Sequence, residues 1–331
     1  MAYDILVKEN PVALEKAEVI LSAMANQTLT DSERDHPFVE CASFADMVKY
    51  KGGGWQSNWH FVDIPYFDQG GNMNDYPEFK EEDMNITVAI PGIVDWLMNK
   101  PSYQDSPVYQ TIIKNNYNDD KRGRSYALRL LIHYHGDIHQ PLHSLSRVNP
   151  EFPAGDRGGN SFPLPGHYSI KELHAAWDSL LYEFHVNDKL VSIRAHFKKQ
   201  FNLFIQPYDD ATWAKVGESA AKLVASNPVD PNVYNNYDVK GWSVESWKVG
   251  TSSAYKGMFS EFLPHAYLGA TMNQALPQDY INENNAKTEK QLVLAAHRLA
   301  KTIEMIFNPK EETSTSSDAF LQWYASLTHY N

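Results

Sequence analysis

One cysteine, Cys41, in 331 residues leaves no partner for an internal disulfide. Compartment does not follow from this, because a chain of this size folds without bridges in any of them. No run of about 20 uninterrupted apolar residues exists, which excludes a conventional transmembrane helix. Positive charge is short as well: 29 Lys and Arg against 41 Asp and Glu give a net charge of -12. That balance excludes a protein that wraps duplex nucleic acid with a basic face. It leaves room for an enzyme that meets phosphate through bound cations, since ions add positive charge where it acts. Neither a Gly-x-Ser-x-Gly elbow nor a P-loop occurs, so no serine nucleophile or phosphate-cradling loop announces itself. The opening Met1-Ala2-Tyr3-Asp4-Ile5 has no basic n-region and no apolar h-region, so the chain as written begins without a signal peptide. Internal repeats and long linkers are missing.

Strand-like alternation is scarce and helical periodicity dominates, so the expected class is mainly α with long loops. Asn10-Pro11 suits a helix start, with Val12, Ala13, Ala17, Ile20, Leu21 and Met24 as its apolar stripe. Glu40 to Tyr50 reads as helical and Gly52-Gly53-Gly54 as its break. Residues 64–83, rich in Pro, Gly, Asn and Asp, read as a long loop. Thr87 to Leu97 is a helix that Pro91 either kinks or begins, and Arg124 to Gln140 is another. Residues 145–168 form a loop of functional character. Ser169-Ile170-Lys171-Glu172 has the capping-box pattern and would open a helix carrying His174 and Asp178 on one face. Thr288 to Phe307 closes the fold, with Leu292, Ala296, Leu299, Ile303 and Ile306 inward and Pro309 as its stop. One domain over 1–309 and a polar tail over 310–331 are expected.

Chemistry concentrates between His133 and Asp178. His133 and Asp137 lie four apart, as do His174 and Asp178, and residues at that spacing share a helix face. His143 follows Pro141, where the chain has left its helix, and Asp46 and His60 add the same ligand types from upstream. Imidazole and carboxylate are what Zn²⁺ takes where cysteine is absent. A single His-x-x-x-Asp pair is most often a surface salt bridge. Two pairs with three further candidates are hard to explain that way, because so many unpaired polar groups on apolar helix faces carry a large desolvation cost. His135 and His139, also four apart on another face, read as surface groups or as support for a ligating carboxylate. His36, His167, His185, His196, His265, His297 and His329 have no ligand-spaced partner.

Ala42-Ser43-Phe44-Ala45-Asp46, Trp59-His60-Phe61-Val62-Asp63, the run His133-Tyr134-His135-Gly136-Asp137-Ile138-His139-Gln140-Pro141-Leu142-His143, Gly158-Gly159-Asn160 and Leu173-His174-Ala175-Ala176-Trp177-Asp178 resemble, in order, the signatures of the zinc-dependent class I single-strand nucleases. The resemblance covers nearly the whole chain, and Gly-Asp-x-x-Gln-Pro-Leu-His is its most specific part. It implies a single helical domain of the type shared with zinc phospholipase C, holding three zinc ions. Asp46, His60, His133 and Asp137 would hold the first ion, and His143, His174 and Asp178 the second. Asp137 would bridge to a third, which the family completes with an N-terminal Trp and a nearby His. Neither stands in this sequence. The chain is therefore expected to start several residues late, with a leader upstream and a third site that is weak as written.

The same resemblance implies hydrolysis of single-stranded RNA or DNA to 5′-mononucleotides, and loss of phosphate from 3′-nucleotides. Metal-acidified water is the attacking group, with Asp137 and Asp63 as catalytic carboxylates. Phe61 would stack on a base, Asp63 would contact it, and Asn160 would lie near the scissile phosphate. The partners implied are single-stranded nucleic acid and 3′-nucleotides, with no stable hold on duplex DNA and a monomeric state. A secreted or endomembrane glycoprotein is the matching address, and Asn26-Gln27-Thr28 and Asn85-Ile86-Thr87 supply the sequons. A longer stretch between His143 and Gly158, around Asn149-Pro150-Glu151-Phe152-Pro153, departs from the family pattern. A phospholipase C-like phosphodiesterase and a catalytically impaired metal-binding homologue are the competing readings.

Overall fold

The helix Asp120–Asp137 is buried without interruption from Gly123 to Ile132, so it lies in the middle of the molecule. A computed structural model describes residues 1–167, 170–183, 210–256, 276 and 278–307. Around the central helix pack Pro11–Ser22, Ile86–Leu97 and the long helix Gln278–Phe307. Leu21, Phe44, Ile90, Trp96, Leu128 and Ile303 belong to the one large core cluster these elements share. The described residues are mainly α, as expected, with two two-stranded sheets among them: Pro65–Tyr66 parallel to Ser146–Arg147, and Pro163–His167 antiparallel to Ile170–Glu172. No helix among the described residues is long and apolar enough to cross a membrane.

A central helix must also satisfy the polar groups it brings inside. Arg129 is 1% exposed; its Nε donates to Glu33 Oε1 at 2.8 Å, and its Nη2 bonds both Glu33 and the Leu21 carbonyl. Arg124 bonds Asp120, the Trp96 carbonyl and Asn99. Fork-shaped guanidinium groups thus tie the central helix to three neighbouring segments, and each buried charge is paired.

Local capping sets the element boundaries and explains where they differ from the sequence reading. Asn10 Oδ1 accepts from Ala13 N at 3.1 Å and Pro11 opens the helix, as read. Ala13, Ala17, Ile20, Leu21 and Met24 are buried, but Val12 is 51% exposed and Leu14 takes the inward position. Asn85 caps the helix Ile86–Leu97, so Pro91 neither begins it nor interrupts it. Asp119 Oδ1 accepts from Arg122 N at 3.1 Å, which starts the central helix at Asp120 rather than Arg124. The polar first turn hid this start from a reading based on apolar periodicity. Gly52, at φ +92°, redirects the chain, yet helical turns resume over Gly54–His60. Ile170–Glu172 is a strand and the following helix begins at Leu173, so the capping-box reading fails; Ser169 lies outside the described residues. The closing helix starts at Gln278, well before Thr288, and Leu292 is only half-buried because it lines a cavity. Pro309, the tail 310–331, His185, His196, His265 and His329 lie outside the described residues, and nothing is described of the His167 side chain.

His135 and His139 are neither surface groups nor partners of a carboxylate. They are 1% and 2% exposed. His135 Nδ1 donates to the Leu131 carbonyl at 2.9 Å, and His139 Nδ1 to the His135 carbonyl at 2.7 Å, while His139 Nε2 faces Arg298 at 3.0 Å. Burial pushes the His135 imidazole down to about 4 and His139 well below its ordinary value. Below pH 6.5 the unfolded chain takes up a proton at His135 that the folded chain refuses, so stability falls as pH drops from 6.5 towards about 4. His135→Gln should therefore be less stable than wild type at pH 7 but lose less Tm between pH 6.5 and 4.5. Parallel thermal melts across that range check this; equal losses in both proteins refute it.

Candidate metal centre

Three chain segments deliver ligand-type side chains to one place, and a buried glutamine joins them. Gln56 is fully buried; its Nε2 donates to the Ala45 carbonyl at 2.8 Å and its Oε1 accepts from Tyr134 Oη. Ala45 precedes Asp46, Tyr134 follows His133, and Gln56 lies one turn before His60. One side chain thus fixes the spacing of all three. Donor atoms of Asp46, His60 and His133 all lie within 4.8 Å of one another, as do those of His143, His174 and Asp178.

Asp137 sits between the two groups. Its Oδ2 is 2.8 Å from His60 Nδ1 and 3.1 Å from His133 Nε2, while Oδ1 is 3.7 Å from His143 Nδ1. The contact with His133 lacks a hydrogen bond's alignment, and His133 Nε2 is buried without a hydrogen-bond partner. All seven residues predicted as metal ligands are therefore brought together.

The outer ring nitrogens show which way the inner ones face. His133 Nδ1 donates to the Ala42 carbonyl at 2.6 Å, His143 Nδ1 to the His60 carbonyl at 2.8 Å, and His174 Nδ1 to the Gly158 carbonyl at 2.8 Å. A carbonyl only accepts, so each Nδ1 carries a proton, and a ring in its neutral form presents a bare lone pair at Nε2. His143 Nε2 and His174 Nε2 face each other at 3.2 Å. His133 Nε2 faces a carboxylate oxygen. Two such lone pairs at these distances repel unless a proton or a metal cation lies between them. The donor set therefore fits a divalent ion that takes nitrogen and oxygen.

Without a metal, electrostatics put a proton there. Burial works against charge at every one of these groups. His133 and His143 nonetheless hold their protons more tightly than an ordinary imidazole, His143 up to about 9, because the Asp137 carboxylate lies beside them. Asp137, facing His133 and His143, is held well below the usual carboxylate range despite its burial. His60 and His174 are pushed down by burial. The cluster thus draws positive charge inward.

The segment after His60 runs beside the second group. Val62 N donates to the His143 carbonyl at 2.8 Å, Ser146 N to Ile64 at 3.0 Å and Val148 N to Tyr66 at 2.9 Å. Phe61 is extended, at φ -148° and ψ 170°, so Phe61 and Asp63 share a side of this segment. Both are half-buried. Burial, reinforced by the Asp156 carboxylate, pushes Asp63 up to about 7. Asn160 is exposed and donates to the Arg157 carbonyl at 2.8 Å. The 147–153 stretch folds back on the 64–83 segment: Asn149 Nδ2 and Arg147 Nε both bond Asp68, and Arg147 covers the Phe152 ring.

The S1/P1 nuclease family matches residues 13–308 of this chain. The chain belongs to that family. Endonuclease 4 of Arabidopsis thaliana is 25% identical over 304 residues, covering 88% of this chain and 84% of its own. Endonuclease 3 of the same plant is 27% identical over 262 residues, covering 78% and 72%, and endonuclease 5 is 25% identical over 293, covering 87% and 84%. Membership makes this chain a hydrolase of phosphodiester bonds that acts on nucleic acid. All seven ligand-type residues fall inside the matched span.

Several residues of this centre carried no readable signal. Nothing in the sequence marks Gln56, which works through a buried hydrogen-bond pair. Gln140, whose Nε2 donates to Asp178 Oδ1 at 2.8 Å, lay inside the quoted motif but has no ligand chemistry to draw notice. Gly158 lay inside a quoted motif too, but its task shows only in the fold. It stands at φ +61°, and a Cβ there would meet the Leu142 carbonyl oxygen at 2.2 Å. Gly158→Ala should lower Tm and weaken metal retention on the His143, His174 and Asp178 side, because it shifts the carbonyl that orients His174. Metal content by mass spectrometry and a thermal melt decide; unchanged values for both refute it.

Proposed function

We propose that this nuclease is zinc-dependent, cuts single-stranded RNA and DNA to 5′-mononucleotides, and removes phosphate from 3′-nucleotides. The observation that carries this reading is the His143 and His174 pair, whose Nε2 atoms face each other at 3.2 Å with both Nδ1 protons committed to carbonyls. Asp46, His60, His133 and Asp137 would hold one ion, and His143, His174 and Asp178 a second. When bound, such ions lower the pKa of water towards about 7 and neutralise phosphate charge. Three carboxylates against two divalent ions leave the centre net positive, which suits a phosphodiester. Asp137 also lines a cavity of about 290 Å³ with Gln140, Trp177, Asp178 and Leu292, so there is room beside it for a further group.

Residues around the ions would position the strand. The Phe61 ring offers a face to a base, and stacking on protein requires that the base has left its duplex. Asp63, with its carboxyl raised to about 7, keeps its proton in mildly acidic solution and donates a hydrogen bond to a base. Asn160 uses one N–H on Arg157 and has a second for a phosphate oxygen. A secretory or endomembrane address extends the proposal. Of the two sequons, Asn26 is exposed, whereas Asn85 is engaged as a helix cap with Thr87 and Glu82.

Zinc-loaded protein should release acid-soluble nucleotides from single-stranded DNA and phosphate from 3′-AMP. A chelator should abolish both and lower Tm, since ions bound to the folded state stabilise it. Asp137→Asn should cut turnover by about 100-fold or more and lose at least one ion, because both groups share that carboxylate. Wild-type turnover in this variant, or release of phosphocholine in place of nucleotides, would overturn the reading.

A further inference from the structure

A polymeric substrate occupies more surface than the cleavage site itself, and one bare ring stands directly beside this centre. Tyr50 is 93% exposed, the most exposed of the large hydrophobic side chains among the described residues. Helical backbone angles hold from Phe44 through Tyr50 and are lost only at Lys51 and Gly52. Asp46 and Tyr50 are four apart on that helical run, so they share a face about one turn, or 5.4 Å, from each other. Asp46 is itself 59% exposed, which places it at the solvent rim of the metal cluster. The ring is thus next to the cleavage centre and has no packing duty in the fold.

Lysines flank it. Lys49 Nζ lies 2.9 Å from Asp46 Oδ1, and Lys51 Nζ lies 3.6 Å from Asp31 with its side chain 40% exposed. In a chain of net charge -12, a Lys-Tyr-Lys sequence beside the metal cluster sets two cations, each beside an aspartate, on either side of an aromatic face. Alternating cation and ring is what single-stranded nucleic acid uses, the cation on phosphate and the ring on a base.

We propose that Tyr50 is a stacking platform for a base of the single strand outside the cleavage position, with Lys51 beside it for the adjoining phosphate. This subsite rests on the proposed single-strand nuclease activity and adds to it a preference for length. Strands long enough to reach Tyr50 gain affinity from it, and dinucleotides gain less.

Zinc-loaded wild type, Tyr50→Ala and Tyr50→Trp should be compared on a single-stranded oligonucleotide and on a dinucleoside monophosphate. Tyr117→Ala serves as control: Tyr117 is also bare, at 82% exposure, but lies beyond the opposite end of the central helix. For Tyr50→Ala the oligonucleotide KM should rise by about 5- to 100-fold, the range a lost base stack gives, and the preference for the longer substrate should shrink accordingly. Tyr50→Trp should keep the preference and Tyr117→Ala should not alter it. An unchanged oligonucleotide KM in Tyr50→Ala overturns the platform. Equal losses on both substrates overturn it as well, because the ring would then act within the cleavage site. If wild type cleaves neither substrate, the nuclease reading itself fails, and the failure shows before any variant is made.

Discussion

Imidazole nitrogens that face one another govern this molecule. Three imidazoles aim Nε2 at the cluster, two of them at each other and one at a carboxylate oxygen. In the absence of a cation such an arrangement is held only by the surrounding structure, against its own electrostatics. The hydrogen bonds behind the rings supply that hold. Each Nδ1 proton goes to a backbone carbonyl, at Ala42, His60 and Gly158, so each ring is locked from the rear with its front free. A divalent ion there would convert the unfavourable contact into coordination and would tie metal affinity to folding.

The fold serves that arrangement by burying its central helix on all sides. Loops that bring Asp46, His60 and Gly158 to it are anchored to buried groups: Gln56 joins Ala45 to Tyr134, and Asp156 accepts from the Arg147 backbone and from Tyr255. His135 and His139, one helical face away, show the contrast. Their Nδ1 atoms also donate to carbonyls, but Nε2 meets the Thr302 hydroxyl in one case and the Arg298 guanidinium in the other, not a second imidazole or a carboxylate. Identical side chains in neighbouring turns therefore become core packing or candidate metal ligands according to what stands opposite the second nitrogen.

That distinction sets the limit of what the sequence disclosed. Class and most helices were legible, as were the seven ligand-type residues that the fold gathers: four-residue spacing marks His133 with Asp137 and His174 with Asp178, while Asp46, His60 and His143 stand out only by ligand type and family resemblance. His135 and His139 have the same spacing and were read as outward or as supports, since spacing does not say whether the opposite surface is solvent, carboxylate or the Gln278–Phe307 helix. Gln56 was invisible because its partners are 11 and 78 residues away. The Ile170–Glu172 strand carries a capping-box pattern that points to a helix start, and its pairing with Pro163–His167 shows only in the folded chain.

Reliance on carbonyls has a further consequence for how this centre tolerates change. A carboxylate partner behind an imidazole would raise its basicity and could be lost by one substitution. A carbonyl is less polarising and belongs to the backbone, so a side-chain change leaves it in place unless φ and ψ change. Sensitivity thus moves from the partner's identity to its backbone conformation. Gly158 carries the greatest such burden, since its positive φ is what directs its oxygen at His174 while its α-carbon passes Leu142. Ala42 lies in a short helical turn and His60 at the end of another, conformations that many residues adopt. The second group is therefore the one whose geometry depends on a glycine, and the first is the one whose geometry depends on packing around Gln56.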